Sequence, residues 1–153
     1  MALGDITSDG DWHSIEVLAS RTTTNGTPIA SATSGVSMQT IMDAFDFNAR
    51  GMPSDLSLIC VSTAGSDTMT VTLAHWMMAG TLASLTNGAW VKVLVNGGAA
   101  ISEATTDRIC FAEPVSLAAH FSRYFVEVTA IGGTATAVTC FLRGRKGYGP
   151  GRL

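Results

Sequence analysis

The stretch Tyr124 to Arg143, YFVEVTAIGGTATAVTCFLR, constrains the chain most. Tyr124, Val126, Val128 and Ala130 alternate with Phe125, Glu127 and Thr129, the two-residue period of a strand whose faces meet different surroundings. Gly132-Gly133 supplies the backbone freedom of a tight reversal, and Ala135 to Arg143 returns rich in Thr, Val and Phe, which suit a pleated surface. The segment therefore reads as a β-hairpin. Leu58 to Trp76, LICVSTAGSDTMTVTLAHW, has the same design: a shift of 67 positions sets Val61 on Val128, Gly65 on Gly132, Val71 on Val138 and Thr72 on Thr139. Two strand–turn–strand units form the expected skeleton, the first running from Leu56 to Met78.

Further strands are expected at 12–19, 44–49, 90–95 and 108–112, which with 56–63, 69–77, 124–130 and 135–143 makes eight. In Val36 to Phe47, Met38, Ile41, Met42 and Phe45 also fit a helical stripe; Ala44 to Ala49 is assigned to strand and Val36 to Asp43 stays open. Asn96-Gly97-Gly98 closes the strand 90–95, Ala99 to Thr106 reads as loop, and Pro114 ends the strand that begins near Arg108. Short strands with Gly-rich turns and no long helix give an all-β antiparallel β-sandwich, with a jelly roll preferred for its eight strands.

The chain of 153 residues fits one domain. Only 14% of it is charged, below the roughly 25% of typical soluble domains. Faces of small neutral residues suit a protein covered by neighbours better than a free monomer. Arg21 to Gly35 is a long Thr/Ser/Ala/Gly connection without charge after Arg21, and reads as an extended arm or an excursion over a neighbour, packed on something rather than solvated. The expected organisation is an N-terminal arm 1–11, a β-sandwich domain 12–142 and a basic Gly-rich tail 143–153. Four basic residues, Arg143, Arg145, Lys146 and Arg152, and no acidic ones fall in the tail. Of the chain's 9 basic and 12 acidic residues, five and twelve then remain in 1–142, a net of −7 on the body.

No GxSxG, P-loop, HExxH, EF-hand or GxGxxG sequence is present, so no catalytic role and no cofactor are assigned. Cys60, Cys110 and Cys140 are odd in number, lack CxxC spacing and sit in apolar runs, which predicts buried free thiols. His13, His75 and His120 do not repeat at zinc-ligand spacing. His75 reads as a hydrogen-bonded sheet histidine and His120 as a surface or interface one. Asp5, Asp9 and Asp11 read as solvated turn residues rather than a calcium site. Trp12, Trp76 and Trp90 are candidates for a carbohydrate platform, against which stands their placement beside apolar residues. No basic, apolar leader follows Met1 and no apolar run nears the ~20 residues of a membrane helix, so neither a signal peptide nor membrane insertion is expected. The tail's four charges lack interleaved aromatics, a weak nucleic-acid pattern; an acidic protein neighbour accounts for them better.

The runs LSLICVSTAGSDTMTVTLAHW, DRICFAEPV and YFVEVTAIGGTATAVT resemble small structural proteins of tailed bacteriophages, in particular capsid decoration, or cement, proteins built on β-sandwich or jelly-roll domains. The resemblance covers roughly 44–143 and rests on Thr/Ala/Gly-rich strands with few charges. It implies a non-enzymatic virion protein on the capsid surface, made in the host cytoplasm, with the major capsid protein as partner and a homo-oligomer, a trimer by preference, as its form. Another virion component (tail, connector or fibre) and a carbohydrate-binding module are the alternatives.

Overall fold

In the computed structural model, residues 3–4, 6–9, 12–29, 33–45, 56–62, 68–79, 90–104, 109–115, 121–133 and 137–145 are described. They form an all-β antiparallel sandwich. One sheet contains β1 (Ile6–Asp9), β2 (Trp12–Arg21), β4 (Ser57–Ser62), β8 (Ile109–Pro114) and β10 (Val138–Arg145), in the order β1-β2-β10-β4-β8. The other contains β3 (Val36–Ser37), β5 (Thr68–Ala79), β6 (Trp90–Leu94), β7 (Ile101–Ala104) and β9 (Phe121–Gly133), in the order β3-β9-β5-β6, with β7 also on β5. The pairing is nested: β2 with β10, β3 with β9, β4 with β8, and β5 with β6.

The two expected hairpins are not hairpins. β4 and β5 lie in different sheets, and so do β9 and β10. Each unit crosses from one sheet to the other, and the two units pair with each other: β4 with β10 and β5 with β9. Alternation shows which face of a strand is buried, and that pattern is the same whether the chain returns beside itself or crosses the core. Gly132 and Gly133 accordingly make no turn. They lie inside β9 opposite Thr70 and Met69, and Gly132 is not among the residues with positive φ.

The inward faces build one core. Val71, Leu73 and Met77 of β5 meet Tyr124, Val126 and Val128 of β9, and across from them lie Leu58, Cys60, Val138, Cys140 and Leu142. Two bulges shape β9. Thr129 is the extra residue between the pairs Thr72–Ala130 and Leu73–Val128, and Ser122 the extra one between Met78–Arg123 and Ala79–Phe121. Each hydroxyl donates to a β5 carbonyl beside its bulge: Thr129 to Thr72 at 3.1 Å and Ser122 to Met78 at 3.3 Å. A bulge disrupts the ladder locally, and these hydroxyls bind carbonyls at the disruption. Past Thr129 the alternation changes phase, so Ala130 is exposed while Ile131 packs on the core.

The expected strand 44–49 is corrected at its start, where Ala44 and Phe45 end a helix, α1 (Met38–Phe45); residues 46–49 lie outside the described ones. The Ser37 hydroxyl accepts from the Thr40 amide at 3.1 Å, an N-terminal cap that the strand assignment overlooks. The helix buries Met38, Ile41, Ala44 and Phe45. Phe45 reaches Gly144 of β10: a Cβ there would stand 3.1 Å from Leu56 Cδ1 and 3.7 Å from the Phe45 ring. Residues 101–104, expected as loop, form β7, which continues along β5 where β6 leaves it. Between them the chain makes a turn with Asn96 and Gly97 at φ 54° and 63°.

Both ends differ from expectation. β1 pairs with β2, so Ile6–Asp9 is an edge strand of the sheet and not a separate arm. β10 runs through Arg145, so Arg143 and Arg145 belong to the sandwich; 146–153 lie outside the described residues.

The connection 21–35 is fastened to its own chain. The Asn25 carboxamide donates to the Val126 carbonyl at 2.9 Å and accepts from the Val128 amide at 2.8 Å, taking the place of a neighbouring strand beside β9. The Arg123 guanidinium binds the carbonyls of Thr33, Ser34 and Gly35 at 2.8–2.9 Å. Gly35 has φ +72°, and a Cβ there would stand 2.1 Å from the Tyr124 carbonyl oxygen.

Gly35→Ala is expected to cost about 3 kcal/mol or more, combining left-handed strain with a backbone collision. Gly132→Ala, with nothing within 4 Å of its Cβ, should stay within about 0.5 kcal/mol of wild type. Asn25→Ala deserts two backbone groups and should lose about 1–3 kcal/mol, and Asn25→Asp, which cannot donate, should not restore it. Urea unfolding of the four variants checks this; equal midpoints for Gly35→Ala and Gly132→Ala would contradict it.

Candidate interaction surface

Of the four basic residues expected in a tail, the structure places two. β10 runs antiparallel to β2 with Arg143 opposite Ser14 and Arg145 opposite Trp12. Alternation sends Val138, Cys140 and Leu142 inward, which leaves Arg143 and Arg145 on the outer face beside Trp12. Both guanidiniums lie over the Trp12 ring, at 5.6 Å for Arg143 and 5.4 Å for Arg145 from its centroid. Such contacts contribute about 0.5–1 kcal/mol each at exposed sites. Arg143 also donates to the Ser14 hydroxyl at 2.9 Å. Arg145 is exposed. Lys146 and Arg152 lie outside the described residues.

Other described cations serve the chain itself. Arg21 binds the carbonyls of Thr23 and Thr24, and Arg123 holds 33–35 as above. Lys92 lies 3.8 Å from the Glu127 carboxylate and 5.4 Å from the centre of the Trp76 ring. Trp12 holds Arg143, itself bound to Ser14, together with the exposed Arg145. An acidic group arriving there meets positive charge already oriented, so it loses less side-chain entropy on binding than two free arginines would.

Trp76 and Trp90 do not form an open platform. Each is only 8% exposed, and with Met78 and Phe125 they make a second apolar cluster on the outer face of β5, β6 and β9. The Trp76 indole donates to Glu127 at 2.6 Å, while the buried Trp90 indole nitrogen has no hydrogen-bond partner among the described residues. A stacking surface for sugars needs exposed ring faces, and these rings are covered. On β6, which has no neighbour on its outer side among the described residues, Val91, Val93 and Leu94 are exposed. A cleft of about 230 Å³ lies between β2, the 21–35 connection and β9. Its polar liners Arg21 and Asn25 are already engaged with the chain, so it offers mainly the apolar wall of Leu3, Val17, Ala19 and Phe125.

A buried polar pair lies between the sheets. His75 Nδ1 and the Tyr124 hydroxyl are 2.9 Å apart, with the rings edge to face. This is the hydrogen-bonded sheet histidine expected from the sequence. Burial lowers the His75 pKa, partly offset by the Glu113 carboxylate; burial likewise raises that of Tyr124 well above its ordinary value, with the charges of Cys140 and Glu113 adding to it. Glu113, on β8, accepts from the Asn96 amide at 3.1 Å. His120 lies outside the described residues, as do Asp5 and Asp11; Asp9 is in β1 opposite Trp12. Cys60 and Cys140 are buried thiols outside any disulfide, as expected. The side chain of Cys110 is outside the described set.

No protein-family model, curated protein or solved structure matches the chain.

Because the folded pKa of His75 lies below its ordinary 6.5, the unfolded chain takes up its proton first as pH falls. Stability from this group is therefore complete above 6.5 and is lost as pH drops through 6.5 toward the folded value. Tm should fall between pH 7.5 and 5.5, a window of about one unit either side of the ordinary histidine value. His75→Gln, which keeps a hydrogen-bonding group for Tyr124, should show a shallower fall. An unchanged slope would place the proton uptake elsewhere.

Proposed function

We propose that this chain is a non-enzymatic structural protein of a virion that binds the outside of the capsid shell as a decoration protein. The likeness of its Thr/Ala/Gly-rich strands to such proteins is one support. A second is the nested order β2–β10, β3–β9, β4–β8 and β5–β6, which is the order expected of a jelly roll and favours that finer reading of the sandwich. The observation that carries the proposal is the Trp12–Arg143–Arg145 stack: an oriented cationic patch on a chain of net charge −3. In this reading the stack and the basic residues after it meet an acidic face of the major capsid protein. The exposed apolar residues of β6 are then available to neighbouring copies in a homo-oligomer.

Titration of wild type, Arg145→Glu and Trp12→Ala onto purified shells of the encoding virus, at low and high salt, tests this. Wild type should bind, with affinity falling as the screening length shrinks from about 10 Å at 0.1 M to about 3 Å at 1 M salt. Arg145→Glu should bind at least about tenfold more weakly, a loss of about 1.4 kcal/mol, and with a flatter salt dependence. Trp12→Ala should lie between. No binding by wild type would reject the capsid reading, and equal binding by all three would move the contact off the stack.

A further inference from the structure

Cys60 and Cys140 look unrelated in the sequence, with 79 residues between them. The sheet sets them directly opposite each other. In the β4–β10 ladder Cys140 pairs with Cys60, between Phe141–Ile59 and Thr139–Val61. Both face inward, neither is in a disulfide, and both have 0% exposure. This ladder joins the two strands that the crossing units contribute to the β1-β2-β10-β4-β8 sheet.

Directly opposed residues of antiparallel strands have Cα atoms about 4.5–5.5 Å apart, inside the roughly 4.4–6.8 Å that a disulfide spans. Their Cβ atoms are about 4.5–5.5 Å apart, so a small closing movement reaches the roughly 3.5–4.5 Å of a disulfide. We propose that Cys60 and Cys140 are a site of covalent modification: a latent cross-strand disulfide that ties β4 to β10 when a low-molecular-weight disulfide is the oxidant. The thiolate of one cysteine attacks the oxidant's S–S bond and releases one small thiol. The second cysteine then attacks the mixed disulfide, forms the protein S–S bond and releases the other small thiol. Two protein thiols are oxidised and one small disulfide is reduced to two thiols. Because both sulfurs are buried, exchange proceeds through opened or refolding chains. A reducing compartment therefore keeps the thiols, and an oxidising one converts them. This chemistry is independent of the capsid proposal.

The test uses full-length Cys110→Ser, which leaves this one pair, unfolded and then refolded in reduced or in oxidised glutathione. The oxidised sample should lose two hydrogens by mass, yield a peptide linking Cys60 to Cys140, and melt about 10 °C above the reduced sample, since the closed loop is long. Cys60→Ser in the same background should form no internal disulfide. Should Cys110→Ser fail to fold, wild type is mapped instead, and the Cys60–Cys140 peptide remains the expected link. Two free thiols or glutathione adducts after refolding, a link through Cys110, or an oxidised form that melts at or below the reduced one would each overturn the proposal.

Discussion

The structure depends on one constraint: the two crossing units must pair with each other along both sheets. β5 lies against β9 over most of its length, and β4 lies against β10. Since β4 leads to β5 and β9 leads to β10, both ladders belong to one long antiparallel ribbon folded across the core. Its inward residues, Leu58, Cys60, Val71, Leu73, Tyr124, Val126, Val138 and Leu142, belong to the hydrophobic cluster. Pairings distant in sequence close large loops before they gain contacts, so a fold of this kind depends on them jointly. Edges are then added around the ribbon. β2 joins β10, β8 joins β4, and the Asn25 carboxamide and β3 take the open side of β9.

The existence of most strands was legible, and their partners were not. Alternation in Trp12–Arg21, Thr68–Ala79 and Phe121–Gly133 reports a buried face, which any sandwich partner provides equally. Gly-rich connections near 65 and 132 look like hairpin turns, yet Gly132 sits in a ladder. Thr129 changes the inward phase by one residue, which no strict period can register. The helix Met38–Phe45 was readable from its stripe together with Ser37 as a cap. Gly35 had a signal of a kind, a glycine just before a strand, but its partner Tyr124 is far along the chain.

The candidate surface followed the same pattern. Four basic residues near the end were visible, and so was Trp12; that β10 would carry Arg143 and Arg145 back beside Trp12 depended on strand order. The alternation Phe141, Arg143, Arg145 was a usable signal, since it continues the outward positions of the strand past Gly144. Glycine there serves the packing of Phe45 and Leu56 rather than chain flexibility. The patch is thus built into the sandwich, and its geometry is inherited from the same β2–β10 ladder that completes the sheet.

The crossing of the two units is tested most directly by cross-strand Hα–Hα and amide nuclear Overhauser effects in isotope-labelled protein. Effects linking β10 to β4, as Leu142 to Leu58 and Thr139 to Val61, and β9 to β5, as Val126 to His75 and Ile131 to Val71, are predicted. Effects connecting Phe121–Gly133 directly to Val138–Arg145 along a shared ladder would contradict the account, because they would return each unit to a hairpin within one sheet.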